Sequence, residues 1–449
     1  MTQTKTRQII EDSPMSTMQI IAVLVCIAST VIDGFDTSVM SFAAPLLIKQ
    51  WGSTPEQLGI IFSAASVGMI CGALMSFCAD HIGRRPTILV AGCLVSVAMF
   101  AASFAGSVST LAVLRFFTGL GIGVMVPCLN VMVVEYSNRR SGNLFLSLLH
   151  IGLAIGAILC SSIAVLLVNR YGWRSFFFVG ATLNCFVLSA NFFLLPESVD
   201  YLFVKQPRNA LARLNEVLSK FGHESIGRLP AVPERQQSGA AFSKLLTGAY
   251  FFPLLLLGLA AFCQLFVSNF SNSWTPKVLT DAGLSHRLAI ASGIALGIGA
   301  GLGNLFAGYF SKWIGARRLT VICYVLTAGS LLGFAVPSDR PLFLLLLVGL
   351  ASFFSHATYT GVYVNTTRFF PADIRTSGLG AAIAIGRTGS ALGPLMGGFM
   401  IGAGWGRPAY FSFLAGICLI GGLAMHFAVL RNPGRKQSDD TKNAVARVP

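Results

Sequence analysis

The chain has 449 residues, 54% of them hydrophobic and only 11% charged, far below the roughly 25% charged residues of a soluble domain. That balance excludes a soluble chain of two or three domains and points to a membrane protein. The formal net charge of +15 would suit a nucleic acid only if the basic residues gathered on one soluble face, and they are instead spread along the whole length.

Residues 1–17 form a polar tail, and the apolar run that follows is too long for a signal-peptide core, so a retained first helix is expected. Six apolar runs come in succession, near 18–46, 57–78, 87–106, 111–134, 143–168 and 176–195, and together they define an N-terminal bundle over 18–196. A polar stretch over 197–248, with an amphipathic piece around 210–218, reads as a cytoplasmic linker. Six more runs near 250–272, 289–310, 320–336, 342–366, 378–400 and 409–430 make a C-terminal bundle over 249–430, and residues 431–449 are a second polar tail. Each run meets the roughly 20 residues needed to cross a bilayer core. Lipid offers no partner to backbone N–H and C=O groups, so spans this continuously apolar must be helices, not barrel strands. The expected fold is an all-α polytopic membrane protein with about twelve transmembrane helices in two pseudo-symmetric six-helix halves.

Of the 32 Lys and Arg, 23 fall on the side of the two tails, seven on the opposite side, and two, Arg115 and Arg387, within spans. This bias puts both termini in the cytoplasm. All ten cysteines fall in spans without a paired ligand spacing, so neither a disulfide framework nor a metal site is expected. No phosphate loop and no nucleophile elbow is found, which argues against an enzyme and against ATP-driven transport. No cofactor is implied.

The halves resemble each other in two places, as in a duplicated transporter. Gly72-Ala73-Leu74 leading to Asp80 and Gly83-Arg84-Arg85 matches Gly303-Asn304-Leu305 leading to Gly315-Ala316-Arg317-Arg318. His150-Ile151-Gly152 to Gly156 in the fifth run matches Arg387-Thr388-Gly389 to Gly393 in the eleventh, which sets His150 and Arg387 at equivalent depth. Glycines four residues apart, such as Gly293, Gly297 and Gly301, serve helix packing more often than ligand binding.

An ionisable side chain at the bilayer centre costs at least ~2.5–3.5 kcal/mol, so each one asks for a reason. Asp33 and Asp36 lie deep in the first span at i, i+3 spacing and share a face. Two carboxylates close together in a poorly solvated site push one pKa upward, as a proton carrier requires; the bland alternative is a structural ion pair. Arg115 and Arg387 are the buried counter-charges, and a guanidinium suits a carboxylate because its planar fork binds both oxygens. Arg387 is the better substrate candidate, since Arg115 lies near the end of its span and can also be read as an interfacial arginine reaching water. With two Asp and two Arg cancelling, a monoanion would leave the site at minus one unless a proton came with it. His150 and His356 are weaker, because a lone histidine in a span is more often a hydrogen-bonded core residue. Asn269, Trp274, Tyr359 and Tyr363, with Gln264, Asn272 and Asn365, are candidates to complete the pocket. Glu135, at the end of the fourth span beside Arg139 and Arg140, suits a gating ion pair as well as a proton role.

The stretch from Gly72 through Asp80 to Gly83-Arg84-Arg85-Pro86 resembles the signature between helices two and three of the major facilitator superfamily. Asp33-Gly34-Phe35-Asp36, Arg115 through Gly123 to Glu135-Tyr136-Ser137, and Phe370-Pro371 through Arg375 to Gly386-Arg387 resemble its aromatic acid:proton symporter family, whose members import benzoate-like and hydroxybenzoate-like anions. One departure is that the fifth span has Ala157 after Gly156, not the proline frequent in proton-coupled exporters, while Gly393-Pro394 lies in the eleventh. The resemblance implies that Asp80, Arg84 and Arg85 govern conformational switching. It also implies a monomeric secondary transporter of the inner membrane, importing an aromatic carboxylate with protons by alternating access. The rivals are a proton-antiporting exporter of small hydrophobic compounds and a non-transporting membrane receptor.

Overall fold

The computed structural model describes residues 12–138, 141–229, 245, 248–336, 340–371 and 374–430. Among the described residues there are twelve long helices: α1 (Thr17–Trp51), α2 (Pro55–Met75), α3 (Arg84–Ala102), α4 (Val108–Tyr136), α5 (Gly142–Tyr171), α6 (Arg174–Leu194), α7 (Gly248–Asp281), α8 (His286–Ile314), α9 (Ala316–Ala335), α10 (Pro341–Phe369), α11 (Arg375–Gly402) and α12 (Arg407–Leu430). Eleven of them are long and apolar enough to cross a membrane by length and composition. The other, α11, has 28 residues and carries Arg387 among many glycines. The all-α polytopic architecture expected from the apolar runs is therefore what the chain adopts, with each run at the heart of one helix.

The helices begin where local chemistry provides for the first orphan N–H groups. Ser16 and Thr54 accept from the backbone N–H of Gln19 and Gln57, whose side chains return the bond, so α1 and α2 each open on a full capping box. Pro45, Pro127 and Pro394 lie inside α1, α4 and α11. Spanning helices tolerate such residues because neighbouring groups satisfy the freed carbonyls. The repeated signature shows in the backbone too: Gly83 and Gly315, immediately before α3 and α9, adopt φ of 111° and 85°. Only glycine takes up such angles without strain.

The chain forms two compact units, residues 1–235 with 273–297 and residues 236–272 with 298–449. In the first, α1 packs on α5 and α2 on α4 at near-backbone distance; a Cβ on Gly34 or Gly156 would strike the carbonyl of Leu153 or Val31. The segment 273–297 joins this unit through Ser161 Oγ, which donates to the Ile290 carbonyl (2.7 Å), and through Phe62 and Trp274, whose rings meet edge-on at 5.4 Å. In the second unit the same helix pairs recur, α7 with α11 at Gly389 and Gly393, and α8 with α10 at Gly299 and Gly303.

The stretch after α6 is folded up to residue 229. A short helix, Val199–Lys205, and an amphipathic helix, Ala210–Lys220, follow Pro196. Leu214, Val217, Leu218 and Phe221 enter one core with Tyr136, Leu195 and Leu202 of the N-terminal half. Residues 230–244 of the expected linker, and both tails apart from 12–17, lie outside the described residues.

Candidate functional site

The charged centre of the first unit lies between α1 and α4. Asp36 is 1% exposed and Arg115 2%. Arg115 Nη1 donates to Asp36 Oδ1 at 2.5 Å, and its Nη2 donates to the Asp36 carbonyl at 3.1 Å. The guanidinium thus grips both the side chain and the backbone of one residue. Asp36 Oδ2 and Arg115 Nε are buried without a protein hydrogen-bond partner. One carboxylate oxygen is held and the other is not. Breaking a buried pair by removing one partner costs about 3–5 kcal/mol. Arg115 does not reach water as an interfacial arginine would. Asp33, one turn earlier and 5% exposed, receives the Thr37 hydroxyl on its carbonyl (2.9 Å) and on Oδ1 (3.4 Å).

The second unit holds the other arginine of the apolar runs in a different state. Arg387 is half-buried on α11, and its guanidinium has no hydrogen bond or ion pair among the described residues. On α10, the rings of Tyr359 and Tyr363 meet at a tilt of 55° with centroids 4.8 Å apart. Gln264 on α7 is 1% exposed, and its Nε2 donates to the Ser355 carbonyl (2.6 Å) and hydroxyl (2.9 Å). Since a carbonyl only accepts, this bond sets the amide orientation and leaves Gln264 Oε1 buried without a donor. Asn269, half-buried, donates to the Leu265 carbonyl (2.8 Å). Asn365 is tied to Thr320 Oγ1 (3.0 Å) and the Gly361 carbonyl (2.7 Å), a helix-packing role. Trp274 is fully buried in the first unit, against Phe62. His150 is exposed on α5. His356, half-buried on α10, bonds the Ser352 carbonyl of the preceding turn (3.0 Å), as a core histidine does.

A second polar cluster joins the signature loop to the end of α6. Arg84 forms an ion pair with Glu135 of α4, and its Nη1 also donates to Ser198 Oγ (2.7 Å). Ser198 Oγ in turn donates to Glu135 Oε2 (2.7 Å). Glu197 Oε1 accepts from the backbone N–H groups of Arg84 (3.0 Å), Arg85 (3.1 Å) and Ser198 (2.9 Å). A carboxylate 113 residues away therefore caps α3, whose own N-cap, Gly83, has no side chain to do so. The fit is close: a Cβ on Gly83 would lie 2.6 Å from Glu197 Oε2. Tyr201 closes the group by donating to the His81 carbonyl (3.1 Å), and burial, with the Glu197 carboxylate adding to it, pushes its phenol pKa up. The helix turn bearing Asp80 is present, but its side chain lies outside the described residues, as do Arg139 and Arg140.

Glu197 and Ser198 are absent from the sequence-based candidates. The available signal was an acidic residue and a hydroxyl directly after the Pro that ends the sixth span.

Residues 26–339 and 293–448 each match the Major Facilitator Superfamily, and the chain belongs to that family of membrane transporters. It is 30% identical over 410 residues to a gallate transporter of Pseudomonas putida, covering 90% of each chain. It is 29% identical over 401 residues to a 4-hydroxybenzoate transporter of Pseudomonas aeruginosa, covering 88% of this chain and 89% of the other. Among solved structures, a D-xylose–proton symporter shares the fold with a TM-score of 0.73 at 16% identity, over 90% of this chain and 97% of that one. The relatives are named as transporters of aromatic acids, as the aspartate and arginine contexts led one to expect, and none of these is an enzyme.

Proposed function

We propose that this transporter imports an aromatic carboxylate together with protons, by alternating access of its two six-helix halves. The observation that carries the reading is the unequal state of the two arginines: Arg115 is neutralised by Asp36, whereas the guanidinium of Arg387 has no protein partner among the described residues. A guanidinium without an acid of its own is the natural receptor for a substrate carboxylate. The named substrates of the relatives, gallate and 4-hydroxybenzoate, are carboxylates on an aromatic ring, and the Tyr359–Tyr363 pair offers aromatic surface in the same unit as Arg387.

Proton coupling follows from charge. The two aspartates and two arginines sum to zero, so a bound monoanion leaves an excess negative charge that one proton cancels. Asp33 and Asp36 are the proton-carrying groups, with Arg115 controlling Asp36. Release of the proton to the cytoplasm restores the Asp36–Arg115 pair. Asp80, Arg84, Arg85 and Glu135 act at the helix ends as the conformational latch. The protein works in the inner membrane, with both termini in the cytoplasm.

The test is uptake of radiolabelled 4-hydroxybenzoate or gallate into proteoliposomes under an imposed inward proton gradient. Accumulation above equilibrium, abolished by a protonophore, is expected. Equilibration indifferent to the gradient would make the protein a uniporter, and net extrusion would make it an exporter.

A further inference from the structure

Beside the polar cluster at the start of α3, the first unit contains a pocket of about 150 Å³ where the amphipathic helix Ala210–Lys220 crosses the ends of α1, α3 and α6. At about 30 Å³ per water, that is room for about five waters, enough for one tetrahedral oxyanion group with some of its hydration. Its lining includes Met18, Arg85, Phe193, Glu197, Arg213 and Lys220. Met18 and Arg85 are the second residues of α1 and α3, and Phe193 is the last but one of α6. The pocket thus lies at the level where spanning helices end and lipid headgroups begin.

Its charges are unevenly satisfied. Lys220 is paired with Glu216 at 2.7 Å. Arg85 gives Nη2 to the Phe192 carbonyl (2.6 Å), and its Nε is buried without an acceptor. Arg213 reaches Glu197 Oε2 only at 4.0 Å, and that oxygen accepts no hydrogen bond. Three cations face two carboxylates, Glu197 and Glu216, so the lining carries one net positive charge. A monoanion neutralises it, whereas a dianionic soluble phosphate would overshoot. Beside the pocket, Phe192 and Phe193 are 55% and 77% exposed, an apolar landing for acyl chains.

We propose that this pocket binds the phosphodiester of an anionic glycerophospholipid, held by Arg85 on α3 and by Arg213 and Lys220 on the amphipathic helix. Basic pockets between spanning helices at the cytoplasmic level are the known setting for such headgroups. The lipid bridges the helix to the bundle and reinforces the part of the chain that carries Glu197 to α3.

The experiment titrates the purified full-length chain in detergent with dioleoylphosphatidylglycerol, the phosphatidylcholine and phosphatidylethanolamine analogues, and sn-glycerol 3-phosphate, reading the thermal unfolding midpoint. Phosphatidylglycerol is expected to raise the midpoint at a concentration at least tenfold lower than either zwitterionic lipid. The Arg213→Ala/Lys220→Ala double variant should need about tenfold more of it. Arg208→Ala, a cation of the same segment outside the pocket, should stay within twofold of the wild type. Native mass spectrometry of the unaltered chain should retain one phosphatidylglycerol, which keeps the proposal testable if the double variant does not fold. Equal response to the zwitterionic lipids, wild-type binding by the double variant, equal loss in Arg208→Ala, no retained lipid, or the same effect from glycerol 3-phosphate would each overturn it.

Discussion

Arg115 and Arg387 are the two arginines inside the apolar runs, away from the helix ends, and the two halves treat them differently. In α4 the guanidinium is sealed in by Asp36, which gives it a carboxylate and a carbonyl; in α11 it is half-buried and unpaired among the described residues. The helix starts after the signature glycines differ too: Arg84, the first residue of α3, is engaged by Glu135 and Ser198, whereas the matching residue of α9 is Ala316, and the Arg317 that follows has an Nη1 buried without a hydrogen-bond partner among the described residues. The duplicated backbone device, a glycine of positive φ opening a helix, persists in both halves. What has diverged is the supply of acids. The repeated scaffold thus supplies its arginine with an acid in one half and, among the described residues, with none in the other.

The sharpest way to break that contrast is to remove one partner in each half. Arg115→Ala leaves Asp36 buried and alone and should destabilise the protein by about 3–5 kcal/mol, read as loss of the thermal midpoint in detergent. Asp36→Asn combined with Arg115→Gln should recover part of the loss. Arg387→Ala should cost under about 1 kcal/mol in stability, since no protein group is orphaned by it. Equal destabilisation by the two arginine variants would erase the distinction.

Affinity should move the other way. Arg387→Ala should weaken binding of 4-hydroxybenzoate by on the order of 2–5 kcal/mol, about thirtyfold or more, and lysine should rescue poorly for want of the planar fork. Offering 4-hydroxybenzamide should cost the wild type heavily and Arg387→Ala little, by calorimetric titration. If the variant still discriminates acid from amide, Arg115 holds the substrate instead. A smaller effect is expected at the loop: Asp80→Asn should slow transport while substrate affinity stays within about tenfold, roughly 1.4 kcal/mol, in binding and uptake assays run side by side.

The smallest expected effect is on pH. Burial holds His223, beside the amphipathic helix, below the ordinary histidine range. Its folded pKa is lower than its unfolded one, so the unfolded segment binds more protons; docking is fully stable above the unfolded value and weakens as pH falls through the interval between them. Hydrogen-exchange protection over residues 210–226, taken relative to the intrinsic rate at each pH, should fall between pH 7.5 and 5.5, and His223→Gln should remove most of that change.

Much of this could be read in the chain itself. Twelve apolar runs became twelve helices because lipid leaves the backbone no other solution. Asp33, Asp36, Arg115 and Arg387 stood out because charge is rare at that depth. Pairings did not stand out. Nothing in the local sequence couples Asp36 to Arg115 across 79 residues, or Glu197 to Arg84 across 113, because such contacts are set by which helices lie side by side. The amphipathic helix was visible as a periodic segment, but its core partners, Tyr136 and Leu195, were not.

Glu197 also has a consequence for biosynthesis. The first turn of α3 leaves the ribosome more than a hundred residues before the carboxylate that caps it. At about 5–20 residues per second, the Arg84 and Arg85 amides wait on the order of ten seconds for Glu197. Throughout that interval α3 is in the translocon or the bilayer with its leading amides uncapped. A nascent chain halted at residue 196 would have all six of its N-terminal spans and lack the group that completes the third.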